Sequence, residues 1–172
     1  MFLLATQTPD NATDSVAEVY AHFAGRMDVP APLRLLSASP ELLRLQFAQI
    51  LYFMRHPKLS FPVLAAIRFL AARQAEFAHC RVLNRTWLIK GGLTDREMDD
   101  LAQGLEVDAF SVAENALLRM VGRVLAKDAV TAEDLTALRD LGWTDADILD
   151  ACAQGTALVG SALLFAAFQA VD

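Results

Sequence analysis

Apolar residues recur along most of this chain at the spacing of three and four residues that places them on one face of an α-helix. Two such stripes are Leu43, Phe47, Ile50, Leu51 and Met54, and Ala113, Leu117, Met120, Val121 and Val124. No segment between turn signals alternates apolar and polar residues with the period of two that indicates a β-strand. The pattern therefore predicts an all-α protein.

Capping signals indicate where the helices begin. A Ser or Thr followed three residues later by Glu or Asp can form a capping box, in which each side chain bonds the other residue's backbone amide. The pattern occurs at Ser15, Thr94, Ser111, Thr131 and Thr144, and Ser39 and Ser60 stand just before a proline. Together these signals predict about seven helices, near 14–25, 40–55, 61–90, 95–104, 112–127, 132–141 and 145–170, with a short helical turn at 31–38.

Residues 92–100 and 142–150 share one local pattern: a glycine, an apolar residue, a Thr and an acidic first turn. Glycine is typical of the position after a helix and Thr of the position before one. Both segments are therefore expected to end one helix and begin the next. Such short connections favour antiparallel helix pairs in a bundle, and the length predicts a single helical domain over 1–172.

Composition limits the classes of function. The net charge of −6 and the lack of a basic cluster argue against nucleic acid as a partner. The two cysteines belong to no Cys-x-x-Cys motif and the start does not read as a signal peptide, so a reducing, cytoplasmic location is expected. The uncharged segment 155–171 predicts a buried helix and no membrane span. Because 55% of the residues are hydrophobic, we expect the chain to form a homo-oligomer. The sequence indicates no metal or cofactor.

The candidate chemistry lies in the predicted helix 61–90. In a continuous helix Glu76, Cys80 and approximately Asn84 share a face, with His79 at its edge. A carboxylate, an imidazole and a thiol within one turn are the components of a thiol redox site, where a thiolate attacks a peroxide oxygen. A cysteine in an apolar helix is also a common core residue. The spacing alone leaves the choice open.

Three stretches resemble the alkyl hydroperoxidase D-like (AhpD-like) and carboxymuconolactone decarboxylase superfamily, and together they cover roughly residues 13–170. They are Val29–Leu33 with Ser39–Leu43, then Lys58–Ser60 with Ile67 and Arg68, and finally Cys80 with Gly92–Asp95 and Gly142–Asp145. The resemblance implies a multi-helix AhpD-like bundle that assembles as a dimer, trimer or hexamer. For the peroxidase branch it implies an antioxidant oxidoreductase activity.

The peroxidase branch carries an upstream Glu and then Cys-x-x-Cys-x-x-x-His on the site helix. By this resemblance Cys80 takes the place of the second cysteine, which reacts with peroxide. Phe77 stands for the first cysteine, Asn84 for the histidine and Ala65 for the glutamate. An internal Cys-x-x-Cys disulfide is therefore excluded, and the relay that activates the thiol is missing from its usual place. The acid and base Glu76 and His79 are candidate substitutes for that relay.

Three functions stay open. The first is a thiol-dependent peroxidase of the alkylhydroperoxidase type acting on a small peroxide, with catalytic residues Cys80, His79 and Glu76 and binding residues Phe77, Asn84 and Arg68. The second is a catalytically silent oligomer that binds or scaffolds. The third is a cofactor-free lyase or decarboxylase in which Arg68 or Arg81 holds the carboxylate of a small organic acid. A lowered pKa of the Cys80 thiol favours the first function, and a pKa at or above about 8.5 favours the second.

Overall fold

The computed structural model describes residues 1–170 and places 66% of the chain in α-helices. Among these residues there are nine helices: α1 (Asp14–Ala21), α2 (Ala31–Leu36), α3 (Pro40–Met54), α4 (Phe61–Gln74), α5 (Ala78–Lys90), α6 (Asp95–Gln103), α7 (Val112–Ala126), α8 (Ala132–Asp140) and α9 (Asp145–Phe168). The described residues contain no β-strand, and one isolated antiparallel bridge joins Phe2 to Gln169. The all-α prediction is confirmed.

The number of helices is larger than predicted because the turn at 31–38 contains α2 and the predicted helix 61–90 is two helices. α4 ends in a Schellman motif, in which the Phe77 amide donates to the Ala72 carbonyl (2.8 Å) and the Glu76 amide to the Arg73 carbonyl (3.1 Å). Glu76 takes the left-handed φ of 52° that usually belongs to glycine at this position. Because no glycine marks the break, the sequence predicted one continuous helix.

The described residues form two compact units, and the first comprises Met1–Arg55 together with residues from Leu163 onward. Its core consists of buried residues from α1 to α3: Val16, Val19, Tyr20, Val29, Leu33, Leu43 and Phe47. The predicted stripe of α3 is correct at Leu43 and Phe47 and wrong at Met54, which is 72% exposed. Met54 is the last residue of α3 and is not among the residues that form this core or pack against it.

The second unit comprises His56–Ala162, and α4 is its central helix, packed against α5, α6 and α7. The predicted stripe of α7 is confirmed at Leu117, Met120 and Val121, which are buried. Gly155 of α9 allows close packing here, because a Cβ at this position would lie 3.3 Å from the Val121 Cγ1. Gly155 thus packs against α7, and against Ile67 of α4.

Most of the predicted helix starts are correct. Thr94, Ser111 and Thr131 each form a complete capping box at α6, α7 and α8. At α9, Thr144 donates to the Asp147 carboxylate (2.6 Å) while its own hydroxyl accepts from the Asp147 amide (3.2 Å). The local pattern of a hydroxyl and an acid three residues apart located these four starts.

The predictions for three serines at helix starts were less accurate. Ser60 caps α4 through the amide of the third helical residue. Ser39 occupies the N-cap position of α3 without forming a side-chain hydrogen bond. The prediction for Ser15 was wrong, because α1 already begins at Asp14, after Thr13.

The two similar segments adopt the same local structure. Gly92 and Gly142 have φ values of 109° and 93°, a left-handed conformation that glycine adopts without strain. The next residues, Leu93 and Trp143, each donate a backbone hydrogen bond of 3.1 Å to the carbonyl five residues earlier. Both segments therefore end one helix in a Schellman motif and begin the next at a capped Thr.

α9 is long and apolar enough to cross a bilayer by length and composition alone, and 22% of its most apolar 18-residue stretch is buried. The prediction that this segment is a buried helix was therefore wrong for most of its length. The buried apolar residues of α9 form one narrow stripe with spacings of three and four residues: Ile148, Ala151, Gly155, Leu158 and Ala162. The other sides of α9 are accessible in the single chain.

Candidate functional site

Cys80 lies in the first turn of α5 and not in the middle of a longer helix. α5 begins at Ala78 after the N-cap residue Phe77, whose side chain cannot accept a hydrogen bond from the first-turn amides. These amides form the positive end of the helix dipole. Because a helix N-terminus stabilises a thiolate, the break between α4 and α5 gives Cys80 an activating feature.

Burial opposes this activation. It raises the pKa of the Cys80 thiol to about 11, although the positive charge of Arg68 lowers it in part. Burial also raises the pKa of Cys152, where no charged group acts in the opposite direction. Cys80 is therefore the cysteine with an electrostatic partner, and its thiol is protonated at neutral pH.

Arg68 extends from α4 into a partly buried position. Its Nε donates to the Asn84 Oδ1 at 2.9 Å, and its Cζ lies 5.7 Å from the Phe61 ring centroid and 5.8 Å from that of Trp87. Burial lowers the pKa of Arg68 to about 10. The guanidinium has lost much of its water without gaining a carboxylate among residues 1–170.

Asn84 connects Arg68 to the first turn of α5. The side chain is 2% exposed, and its Nδ2 donates to the Cys80 carbonyl at 2.7 Å while its Oδ1 accepts from Arg68. Cys80 and Asn84 are four residues apart within α5, as the spacing predicted. An amide does not titrate, so Asn84 holds the guanidinium in position and cannot accept the thiol proton.

The structure does not place Glu76 and His79 as the spacing predicted. Glu76 lies in the turn before α5, so the prediction that it shares a helix face with Cys80 was wrong; α4 ends two residues earlier. His79 is exposed, and its ring centroid lies 6.4 Å from that of the buried Phe77. Within residues 1–170 the charge that acts on the thiol is that of Arg68. Catalytic roles for Glu76 and His79 stay predictions.

A polar cluster at the start of α9 has no counterpart in the sequence predictions. The His56 side chain is 4% exposed; its Nδ1 accepts from the Leu59 amide (2.9 Å), and its Nε2 lies 3.3 Å from the Asp150 Oδ2. The Lys58 Nζ donates to the Asp147 Oδ2 at 2.9 Å. These contacts join the segment before α4 to α9. No motif could have revealed them, because Lys58 and Asp147 are 89 residues apart in sequence.

Two cavities lie at other places in the described chain. One, of about 510 Å³, is lined by residues that include Arg34 and Phe165, and the other, of about 320 Å³, by residues that include Lys58 and Trp143. Neither is lined by Cys80 or Arg68. Residues 1–170 also contain no group of three or more His, Cys, Asp and Glu side chains suited to a metal ion. The candidate site is therefore defined by the contacts of Cys80, Arg68 and Asn84.

The arrangement of the helices matches a known structure, that of an uncharacterized peroxidase-related protein with the alkylhydroperoxidase AhpD core from Ralstonia eutropha JMP134. The TM-score is 0.76 over 97% of this chain and 90% of that chain, at 21% sequence identity. The chain has the AhpD-core fold. No family profile matches the sequence, and no curated protein does so either. The AhpD-core fold confirms the structural part of the resemblance found in the sequence.

Proposed function

We propose that the protein reduces hydroperoxides slowly, with Cys80 as the nucleophile of a thiol-dependent, alkylhydroperoxidase-type activity. The observation that carries this proposal is the position of the thiol in the first turn of α5, under the charge of Arg68. Both features favour the thiolate, which is the reactive form of cysteine. The AhpD-core fold, shared with a protein described as peroxidase-related, supports the same activity.

In the proposed reaction the Cys80 thiolate attacks the terminal oxygen of a hydroperoxide. An S–O bond forms while the O–O bond breaks, and the alcohol leaves with the proton that the thiol has lost, so that Cys80 becomes a sulfenic acid. An external thiol then releases water and forms a mixed disulfide, and a second external thiol frees Cys80. The reductant is external because Phe77 stands where an internal resolving cysteine would be.

The pKa of the thiol sets the rate of this reaction. With a pKa of about 11, roughly one thiol in ten thousand is ionised at pH 7. The ionised fraction rises about tenfold with each pH unit until the pH approaches the pKa. We therefore expect slow turnover at neutral pH and a steep increase in alkaline solution.

A catalytically silent binding protein is the second candidate, and the raised pKa of Cys80 favours it. The side chains of Glu76 and His79 are exposed, which supports this candidate over a relay at the thiol. In this case Cys80 is a packing residue, and Arg68 serves ligand binding alone. The lyase alternative also uses Arg68, as the group that holds an organic acid.

Peroxide consumption with excess external monothiol tests the proposal at pH 7, 8 and 9. We expect turnover in the unmodified chain and in the matched control Cys152→Ser, and none in Cys80→Ser. His79→Ala is expected to retain most of the activity, because the His79 side chain is exposed and the charge that acts on the thiol is that of Arg68. Unchanged turnover in Cys80→Ser, or no turnover at pH 9, would overturn the proposed peroxidase activity, and the latter result would favour the silent binding protein.

A further inference from the structure

Arg68 is unusual among the cations of this protein. Of the lysines and arginines in residues 1–170, only Arg68 and Arg123 are not exposed. Arg123 bonds the Asp134 carboxylate at 2.6 Å, whereas Arg68 has no carboxylate partner in this part of the chain. Burial of an unpaired charge costs free energy. Such a position is expected where a ligand supplies the missing negative charge.

The Arg68 guanidinium keeps hydrogen-bonding capacity on its two terminal nitrogens. Asn84 occupies only the Nε, and the two terminal nitrogens form no hydrogen bond with residues 1–170. Beside them the rings of Phe61 and Trp87 meet edge to face, with centroids 5.4 Å apart and an interplanar angle of 61°. Phe61 is 55% exposed, so this aromatic pair is open to solvent.

We propose that Arg68, Phe61 and Trp87 form a binding site for a small carboxylate with a flat apolar body. The two terminal nitrogens of Arg68 bind both carboxylate oxygens, since guanidinium and carboxylate groups match in a two-point contact. The apolar body of the ligand packs against the two rings. The proposal shares Arg68 with the proposed peroxidase site and does not require turnover.

Occupation of this site alters the reactivity of Cys80. The positive charge of Arg68 favours the Cys80 thiolate, and a bound carboxylate neutralises that charge. The thiolate is then less stable, so thiol reactions slow at constant pH. By reciprocity, the carboxylate binds more weakly when Cys80 is ionised. A small organic acid is thus expected to act as an inhibitor of the thiol.

Benzoate is the probe for the binding test, and the neutral benzamide is its matched control. Calorimetry measures affinity, and the fluorescence of Trp87 in a Trp143→Phe chain locates the ligand. We expect benzoate to bind and benzamide not to bind. Arg68→Gln is expected to weaken benzoate binding at least about tenfold, the effect of losing charge-assisted hydrogen bonds. Arg85→Gln, an exposed position of α5, is expected to bind like the unmodified chain.

A second measurement on the Cys152→Ser chain keeps the test independent of both peroxide turnover and the stability of Arg68→Gln. Saturating benzoate is expected to slow the alkylation of Cys80 by iodoacetamide at pH 9 by about tenfold, which corresponds to roughly one pKa unit. Equal affinity for benzoate and benzamide, undiminished binding in Arg68→Gln, or alkylation unaffected by millimolar benzoate would overturn the proposal. Benzoate binding without peroxide turnover would overturn the proposed peroxidase activity alone.

Discussion

Replacement of Glu76 by glycine separates the role of this residue in the turn from any role in chemistry. Glu76 has a φ of 52° at the end of α4, where the amide of Phe77 closes the Schellman motif. A left-handed residue with a Cβ costs roughly 1–2 kcal/mol. Glycine avoids this strain but loses about 0.5–1 kcal/mol more backbone entropy on folding.

The difference between these terms predicts that Glu76→Gly raises the free energy of unfolding by about 0.5–1 kcal/mol. For a chain of this size the gain corresponds to a Tm increase of about 1–4 °C. The matched control is Glu76→Gln, which removes the carboxylate and keeps the Cβ. Because the side chain is exposed, the control should change stability by less than about 0.5 kcal/mol.

Urea unfolding followed by circular dichroism measures the stability of the variants, and alkylation of Cys80 measures the reactivity of the thiol. We expect Glu76→Gly to be more stable than the unmodified chain and both variants to retain its alkylation rate. A less stable Glu76→Gly would refute the assignment of the turn. Slower alkylation in both variants would show that the carboxylate activates Cys80, as the sequence alone suggested.

The remaining predictions concern a buried carboxylate, a buried amide and self-association. Burial would raise the pKa of Asp147, but hydrogen bonds from Thr144 and Lys58 lower it to about 2. The ionised Asp147 carboxylate therefore contributes about 2 kcal/mol to the free energy of unfolding above about pH 4, and this contribution is lost as the pH falls towards 2. In Asp147→Asn, acid unfolding should lack this pH-dependent contribution. An acid-unfolding profile identical to that of the unmodified chain would contradict the prediction. Asn115 is 6% exposed and forms hydrogen bonds with the backbone of the loop before α7. Asn115→Ala should therefore lower the free energy of unfolding, measured in urea, by about 2–3 kcal/mol. A decrease of less than about 0.5 kcal/mol would contradict this prediction. Light scattering should give a mass above the 18.8 kDa of one chain, since most of α9 is accessible and apolar; a monomeric mass at micromolar concentration would refute this.

Local signals in the sequence located most helix ends because capping depends on neighbouring residues. Thr94, Ser111 and Thr144 each form the box that the residue three positions later predicts. The break after α4 could not be predicted in this way, because Glu76 adopts a conformation that its side chain does not favour. Phe77, the residue after this turn, is buried in the folded structure, and its surroundings cannot be read from the local sequence.

The candidate site was predictable only where its contacts are local in sequence. Cys80 and Asn84 are one helical turn apart, so their proximity followed from spacing alone. The hydrogen bond from Arg68 to Asn84 joins two helices across 16 residues, and its place beside the thiol required the folded structure. The same limit applies to α9, because apolar composition does not reveal how many of its faces the core covers.

The ionisation of Cys80 tests most directly the claim that burial raises the pKa of this thiol and that the charge of Arg68 lowers it in part. The measurement is the rate of Cys80 alkylation against pH in the Cys152→Ser chain, with and without Arg68→Gln. We expect half-ionisation near pH 11, as burial and Arg68 together set the pKa of the thiol at about 11, and a still higher value in Arg68→Gln. Half-ionisation below about 8.5, the ordinary value for cysteine, or a value unchanged by Arg68→Gln would contradict the account.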